Sequence, residues 1–281
     1  MASVRGTDYL DFGYRNGGPV EEIFHTHSRY EIYYFHEGIC NYLIGDRIYS
    51  LSPGDLILMN GMTLHRPKVD KRRPYIRTVI HFHPSAVKPF LELPQAVPIL
   101  EPFRTLANFR LSLEGREREQ VERLLHAMHE RKHAGGPAAN SRVLLAFADL
   151  LHVIYELCLQ PLGSRQEFSS EKERTVQQIV TYVEERYMED LDMDRLQDDL
   201  HVSKYYLSRL FKEVTGVTIF EFLYRRRINE AKILFLLDPA LSVTEVCFRT
   251  GFKHLAHFSR LFKKQVGLTP EKYRRSMREQ A

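Results

Sequence analysis

The feature that most constrains this 281-residue chain is a repeat. Ser208-Arg209-Leu210-Phe211-Lys212 recurs 51 positions later as Ser259-Arg260-Leu261-Phe262-Lys263, and Gly216 and Gly267 keep the same offset. Each copy closes a stretch with apolar residues at three- and four-residue steps: Leu207, Leu210, Phe211 and Val214 in one, Phe258, Leu261, Phe262 and Val266 in the other. That spacing predicts a helix with one buried stripe and a polar, basic opposite face. Upstream of each copy lies a shorter helical pattern and a tight turn. Residues 193–200 lead into His201-Val202-Ser203, and residues 243–250 lead into Gly251-Phe252. Two helix-turn-helix units are therefore expected, at about 193–214 and about 243–266.

Local chemistry supports the same boundaries. Ser203 is placed to cap the first recognition helix, Ser242-Val243-Thr244-Glu245 reads as a capping box, and Gly251 supplies a positive φ for its turn. Between the units, Thr218-Ile219-Phe220-Glu221 starts a linker helix over about 218–236, which Asp238-Pro239 stops. At a rise of about 1.5 Å per residue it spans roughly 27 Å, comparable with one DNA turn of about 34 Å, so two recognition helices can reach successive major grooves.

Charge agrees with this reading. Residues 200–281 hold 16 Lys/Arg against 7 Asp/Glu, a balance of +9, so the whole-chain +4 leaves −5 for residues 1–199. A basic module attached to a mildly acidic one fits a polyanionic partner. Arg225-Arg226-Arg227 and the tail residues Lys272, Arg274, Arg275 and Arg278 are read as added phosphate-neutralising charge. Cys40, Cys158 and Cys247 are odd in number and never form a CxxC pair, which fits a reducing cytoplasm. No leader or membrane span is expected, because the most apolar stretch, 143–159, is broken by Asp149, His152 and Glu156.

The first part of the chain reads differently. Short apolar runs divided by turns from about 22 to 82 predict a small β-sandwich or barrel. Gly45-Asp46 is a two-residue hairpin turn, Pro53-Gly54 and Asn60-Gly61 bracket a strand over 55–59, and 75–82 is another strand. Residues 114–133 and 141–159 then show helical periodicity around the loop-forming Ala134-Gly135-Gly136-Pro137. The polar stretch 161–170 reads as a linker, and Ser170-Glu171-Lys172-Glu173 opens the next helix with a capping box. The expected architecture is α+β in two domains. Residues 1–165 form a β-barrel (about 8–100) with a helical hairpin (about 114–160), and residues 166–281 form an all-α domain of two helix-turn-helix motifs.

The runs SKYYLSRLFKEVTG, SVTEVCFRTGF and FSRLFKKQVGLTPEKYRR resemble the AraC/XylS family of bacterial regulators over about 172–278. The resemblance implies base-facing positions at Tyr205, Ser208 and Arg209, and at Leu255, Ala256, His257, Ser259 and Arg260. Ser203, Lys204, Lys212, His254 and Lys263 complete the expected DNA-binding set. The family usually has Ala where Gln197 and Cys247 stand. Leu255 and Ala256 carry no hydrogen-bond donor, so the second unit is expected to read more weakly or through thymine methyl groups. Arg209 and Arg260 are read as contacts to guanine or to phosphate.

His25-Thr26-His27, then Glu31 and Gly38, and the distant His65 resemble the two motifs of the cupin fold. In cupin enzymes the four positions His25, His27, Glu31 and His65 bind a transition metal. Family regulators resemble cupins in fold and often keep such histidines without metal, so no cofactor is expected. No GxSxG, GxGxxG, GxxxxGK[ST] or HExxH motif occurs, and the chain is not read as an enzyme. The expected effector site draws on His25, His27, Arg29, Glu31, Tyr33, His36, Tyr42, His65 and His81, a set suited to a polyhydroxylated metabolite such as a sugar. The expected partners are double-stranded promoter DNA, that effector, RNA polymerase and a second copy of the chain, with activation favoured over repression. A metal-dependent cupin enzyme and a sensor acting through a protein partner alone are the competing readings.

Overall fold

Residues 9–20, 22–106, 108–159 and 170–279 are described in the computed structural model of the chain. Two compact units result, one of residues 1–44 and 50–167, the other of 45–49 and 168–281. The expected linker 161–170 falls, apart from Ser170, outside the described residues, as does the expected boundary at 165/166.

Among the described residues the β part has eight strands: β1 Leu10–Asn16, β2 Tyr30–Glu37, β3 Cys40–Ile44, β4 Arg47–Ser50, β5 Asp55–Asn60, β6 His65–Val69, β7 Ile76–Phe82 and β8 Phe109–Ser112. They form a five-stranded sheet in the order β1-β7-β2-β5-β8 and a three-stranded sheet in the order β4-β3-β6. Antiparallel pairing sets Ile32 opposite Leu58 and Ile80, and Glu31 opposite Met59 and His81. Because side chains alternate across a sheet, these two sets leave on opposite faces.

The apolar set faces the helices. A 3₁₀ turn (Pro84–Val87), α1 (Lys88–Leu91) and α2 (Glu101–Thr105) precede the hairpin of α3 (Gly115–Ala134) and α4 (Gly136–Leu159). Ile32, Tyr34, Leu58, Ile80 and Phe82 share one core with Val121, Leu125 and Met128 of α3 and with Phe147, Leu150, Leu151 and Ile154 of α4. Burial of each such aliphatic or phenyl side chain is worth about 1.5–3 kcal/mol, so this layer anchors the unit. The expected loop at 134–137 shrinks to a corner, since Gly135 and Gly136 take positive φ and α4 starts at Gly136.

The expected closed barrel is corrected to two sheets. No ladder joins the edges of the five-stranded sheet to those of the three-stranded sheet among the described strands. His25, outside the named strands, forms an isolated antiparallel bridge with His65 at the start of β6.

The described part of the second unit is helical from 170 onward: α5 Glu171–Arg186, α6 Met193–Leu200, α7 Lys204–Thr215, α8 Ile219–Leu237, α9 Val243–Arg249, α10 Leu255–Val266 and α11 Pro270–Arg278. Side-chain caps account for these starts. The hydroxyls of Ser170, Ser203, Thr218, Ser242 and Thr269, and the Asp192 carboxylate, each accept a hydrogen bond from the backbone N–H three residues on. Phe235, Val246, Cys247, Phe252, Phe258 and Phe262 form the core around the second helix-turn-helix.

The arginine run is corrected as well. Arg227 is only 6% exposed and donates to the carbonyls of Tyr187 (2.6 Å) and Glu189 (2.7 Å). Arg226 pairs with Glu184 (2.6 Å) and Glu230 (2.7 Å), and Arg225 pairs with Glu221 (3.0 Å). Burial would lower the basicity of Arg226, but the two carboxylates outweigh it and hold the guanidinium charged. Arg226 and Arg227 thus brace α8 against the end of α5 instead of offering charge to a polyanion, while the Arg225 pair lies within α8. In the tail, Arg274 donates to the Leu241 carbonyl and Arg278 to that of Pro239.

Candidate nucleic-acid interface and sensor site

All six residues expected on the first recognition helix, Ser203, Lys204, Tyr205, Ser208, Arg209 and Lys212, are exposed, Tyr205 by 86%. Arg209 lies over the Tyr206 ring at 5.9 Å, and Lys204 pairs with Asp194 at 2.6 Å. Gln197, flagged only as a departure from alanine, accepts a hydrogen bond from Lys204 N (3.1 Å) and so adds a second cap to α7. Sequence reasoning missed this; the signal was an acceptor seven residues before an N1 position.

The second recognition helix differs. His254, Leu255, Ala256, Arg260 and Lys263 are exposed, whereas His257 and Ser259 are half-buried. His257 packs edge-on against Tyr224 (5.1 Å) and Phe252 (5.8 Å), which makes it partly a core residue. His254 makes no capping hydrogen bond with its side chain. The two turns also differ: His201 adopts φ +54, and Gly251 adopts φ +83. A Cβ at Gly251 would lie 2.7 Å from the Met188 backbone, so glycine is required there by conformation and by space.

In the sensor, one carboxylate organises the polar face of the five-stranded sheet. Glu31 Oε2 lies 2.9 Å from His27 Nε2, 3.1 Å from His81 Nε2 and 3.6 Å from His65 Nε2. Glu31 is 2% exposed and His65 is fully buried. Burial opposes the charge on Glu31, but hydrogen bonds from His27 and His81 and the fields of His65 and His81 outweigh it, keeping the carboxyl ionised far below the usual range. Burial also opposes charge on His81, yet its hydrogen bond to Glu31 raises its pKa. At His65 burial dominates and lowers the pKa to about 4.

Backbone contacts orient two of these rings. His65 Nδ1 meets the Thr63 carbonyl at 2.8 Å and His27 Nδ1 meets the Arg29 carbonyl at 3.1 Å. A Cβ on Gly61 would sit 2.0 Å from His27 Nδ1 and 2.3 Å from the Arg29 carbonyl oxygen, so that glycine makes room for the ring. Beside the cluster, Tyr33 and Tyr42 stack at 5.0 Å, and the Tyr33 and Tyr75 hydroxyls meet at 2.7 Å. Burial raises both tyrosines' pKa values well above the usual phenol value.

Three expected positions stand apart. His25 is exposed, with Nδ1 on the Ile23 carbonyl, although its ring lies 4.0 Å from that of His65. Arg29 is half-buried and enters through its carbonyl, which accepts from His27 and from Gly61 N. His36 leaves on the helix-facing side: it contacts Thr78 (2.8 Å), Arg15 (3.2 Å) and the Tyr34 ring, and burial followed by the Arg15 charge lowers its pKa to about 4. Alternation explains this, since 36 shares the parity of 32 and 34 rather than that of 31 and 33. For a metal, the convergent donors are His27, Glu31 and His81, mutually within 4.8 Å, with His65 beside them, rather than the His25-containing set of the motif. A separate cavity of about 580 Å³ opens at the edge strand β1, lined by Tyr9, Phe12, Pro89, Lys132, Val143 and Leu144 among others.

A family model for a helix-turn-helix domain matches residues 196–276, and one for an AraC-like ligand binding domain matches residues 12–151. The chain is 23% identical over 273 residues to the Msm operon regulatory protein of Streptococcus mutans, covering 97% of this chain and 91% of that protein. It is 24% identical over 257 residues to the HTH-type transcriptional activator RhaR of Enterobacter sp., covering 92% and 88%. Among solved structures, the DNA-binding domain of AdpA in complex with a target DNA is 26% identical over 38% of this chain and 95% of that one, with a TM-score of 0.35. Paired helix-turn-helix units following a ligand-binding domain define a DNA-binding transcription regulator. The chain belongs to the AraC family of these regulators. No described helix is long and apolar enough to cross a membrane.

Proposed function

We propose that the chain is a cytoplasmic, homodimeric activator that reads promoter DNA with α7 and α10 and answers to a small polyhydroxylated metabolite such as a sugar. The observation that carries the DNA half is the exposure of Tyr205, Arg209, Leu255, Ala256 and Arg260 on two helices joined by α8. Arg209 and Arg260 contact guanine or phosphate, Ser203, Lys204, Ser208, Lys212, His254 and Lys263 line the backbone, and His257 and Ser259 support α10. The effector is held by Glu31, His27, His65 and His81 beside the Tyr33–Tyr42 stack, where a carboxylate and imidazoles meet hydroxyl groups and the rings meet an apolar sugar face. It acts through its differential affinity for two states of the protein, the favoured one recruiting RNA polymerase. The relatives are regulators, which supports reading the sensor as a non-catalytic site.

The test is a mobility shift with promoter fragments at two salt concentrations, with and without candidate sugars. Binding that weakens steeply with salt and changes with one sugar supports the proposal, while no shift at low salt refutes it. A second location for the effector is favoured by one observation: the cavity at β1 has a volume in the usual small-ligand range of about 300–1,000 Å³. Loss of the sugar response in Val143→Trp but not in His81→Gln would place the effector there.

A further inference from the structure

We propose that Arg227 is a positioning residue for DNA reading: it ties the second helix-turn-helix unit to the loop that leads into the first, and so fixes the separation at which two recognition segments of a site are read. The proposal rests on the regulator reading and adds to it what sets the distance and phase between α7 and α10.

The linker helix alone leaves one freedom open. α8 packs into both units, with Phe222 against Phe211 of α7 (5.9 Å) and Phe235 against Phe262 of α10 (6.0 Å). A single helix shared in this way can still bend, and the units can then roll relative to each other. A second tie away from its axis removes that freedom.

Such a tie exists at residues 187–190, between α5 and α6, which are gripped from three sides. From α8, the Arg227 guanidinium donates to the carbonyls of Tyr187 (2.6 Å) and Glu189 (2.7 Å). From the turn of the second unit, Gly251 lies so close that a Cβ would sit 2.7 Å from Met188 Cα, and Lys253 pairs with Asp190. From the first unit, Arg195 of α6 pairs with Glu189 (2.5 Å), and Asp194 of α6 pairs with Lys204 of α7 (2.6 Å). Arg227 also lies 5.6 Å from the centroid of the Phe252 ring, so one guanidinium touches loop and turn together. Contacts thus run from the turn before α10 to α7 without passing along α8.

Burial decides which part of the tie dominates. Lys253 and Asp190 are exposed, and a solvated pair contributes little. Arg227 is buried, and its charge-assisted bonds to two carbonyls cannot be replaced by water without opening the loop. The consequence for DNA is geometric. One base pair inserted between two recognition segments moves the second by about 3.4 Å and about 35° around the duplex. Readers held at one angle reject that shift, whereas readers hinged on α8 alone follow it.

The experiment uses the full chain to select duplexes from a random pool, and sequencing gives the separation of the enriched base blocks. Wild type is expected to enrich two blocks at one separation, and its affinity for that duplex to fall about tenfold or more when one base pair is inserted between them. Arg227→Gln, with its helix content checked by circular dichroism, is expected to enrich the same blocks at several separations and to tolerate the inserted base pair within about threefold. Arg227→Lys, a point charge in place of a fork, restores part of the preference. Arg260→Ala separates reading from positioning, since it weakens the second block without moving it. Asp190→Lys sets two exposed lysines against each other, loosens the tie without touching the core, and decides the matter if Arg227→Gln does not fold: several separations support the proposal and one separation overturns it. The proposal is also overturned if wild type enriches a single block or several separations, or if a folded Arg227→Gln loses affinity for all duplexes alike and keeps one separation, as a merely structural arginine would. Two blocks at an unmoved separation remove this proposal and leave the regulator reading standing, whereas a wild-type chain that enriches no sequence at low salt overturns both.

Discussion

The sensor keeps its chemistry dry and the DNA reader keeps its chemistry wet. Glu31, His65 and His36 are each less than a tenth exposed, and their protonation is set by neighbours packed around them. Tyr205, Arg209 and Arg260 stand in solvent on helices whose apolar stripes do the folding. A change to a buried sensor residue therefore alters stability and binding together, whereas a change to a fully solvated side chain such as Arg209 or Arg260 alters recognition alone. The glycine at the second turn crosses this division, because it is structural yet lies between the two helices of a DNA-reading unit.

The largest expected effect tests that exception. Gly251→Ala forces a side chain into a left-handed backbone and against Met188, and should destabilise the C-terminal unit by about 2–4 kcal/mol in denaturant unfolding. His201→Gly, at the equivalent turn of the first unit, should stabilise it by up to about 1 kcal/mol, since His201 already carries the strain. Equal effects at the two turns would remove the distinction.

Next comes recognition without stability. Arg209→Ala should weaken DNA binding about tenfold or more and flatten the salt dependence, with an unchanged unfolding midpoint. Arg260→Ala should cost less, because Leu255 and Ala256 beside it offer no hydrogen-bond donors. A matching loss of stability in either variant would contradict the wet-surface description.

The dry side is tested by acid. His36 is faced by Arg15, Tyr14 and Thr78 from β1 and β7, by Tyr34 on its own strand, and by Arg118 and Glu122 from α3. With its folded pKa near 4 against 6.5 in the open chain, it stays neutral in the fold while the unfolded chain takes up a proton. Its contribution is complete above about pH 6.5 and is lost as pH falls toward 4, a change of about 1–3 kcal/mol. Urea unfolding of wild type and His36→Gln at pH 7 and pH 4.5 should show a shallower loss in the variant.

The smallest effects concern caps. Ser203→Ala should cost about 0.5–1 kcal/mol, softened by the second cap from Gln197, while His254→Ser should gain a similar amount by supplying the cap that α10 lacks.

What could be read from the order of residues alone was whatever is local. The helix-turn-helix register, the linker helix and the caps at Ser170, Ser203, Thr218 and Ser242 depend on neighbours three or four positions away, so spacing suffices to place them. The Gly45-Asp46 hairpin and the pairing of α3 with α4 were visible for the same reason. Strand register was not. It brings His81 to Glu31 across 50 residues, sends His36 to the opposite face, and leaves the sheets separate where a barrel was expected. Arg226 and Arg227 looked like surface charge until the end of α5 supplied their partners. Contacts between distant segments exist only once both are folded, and a one-residue shift in pairing reverses every side chain on a strand, so those decisions belonged to the tertiary structure.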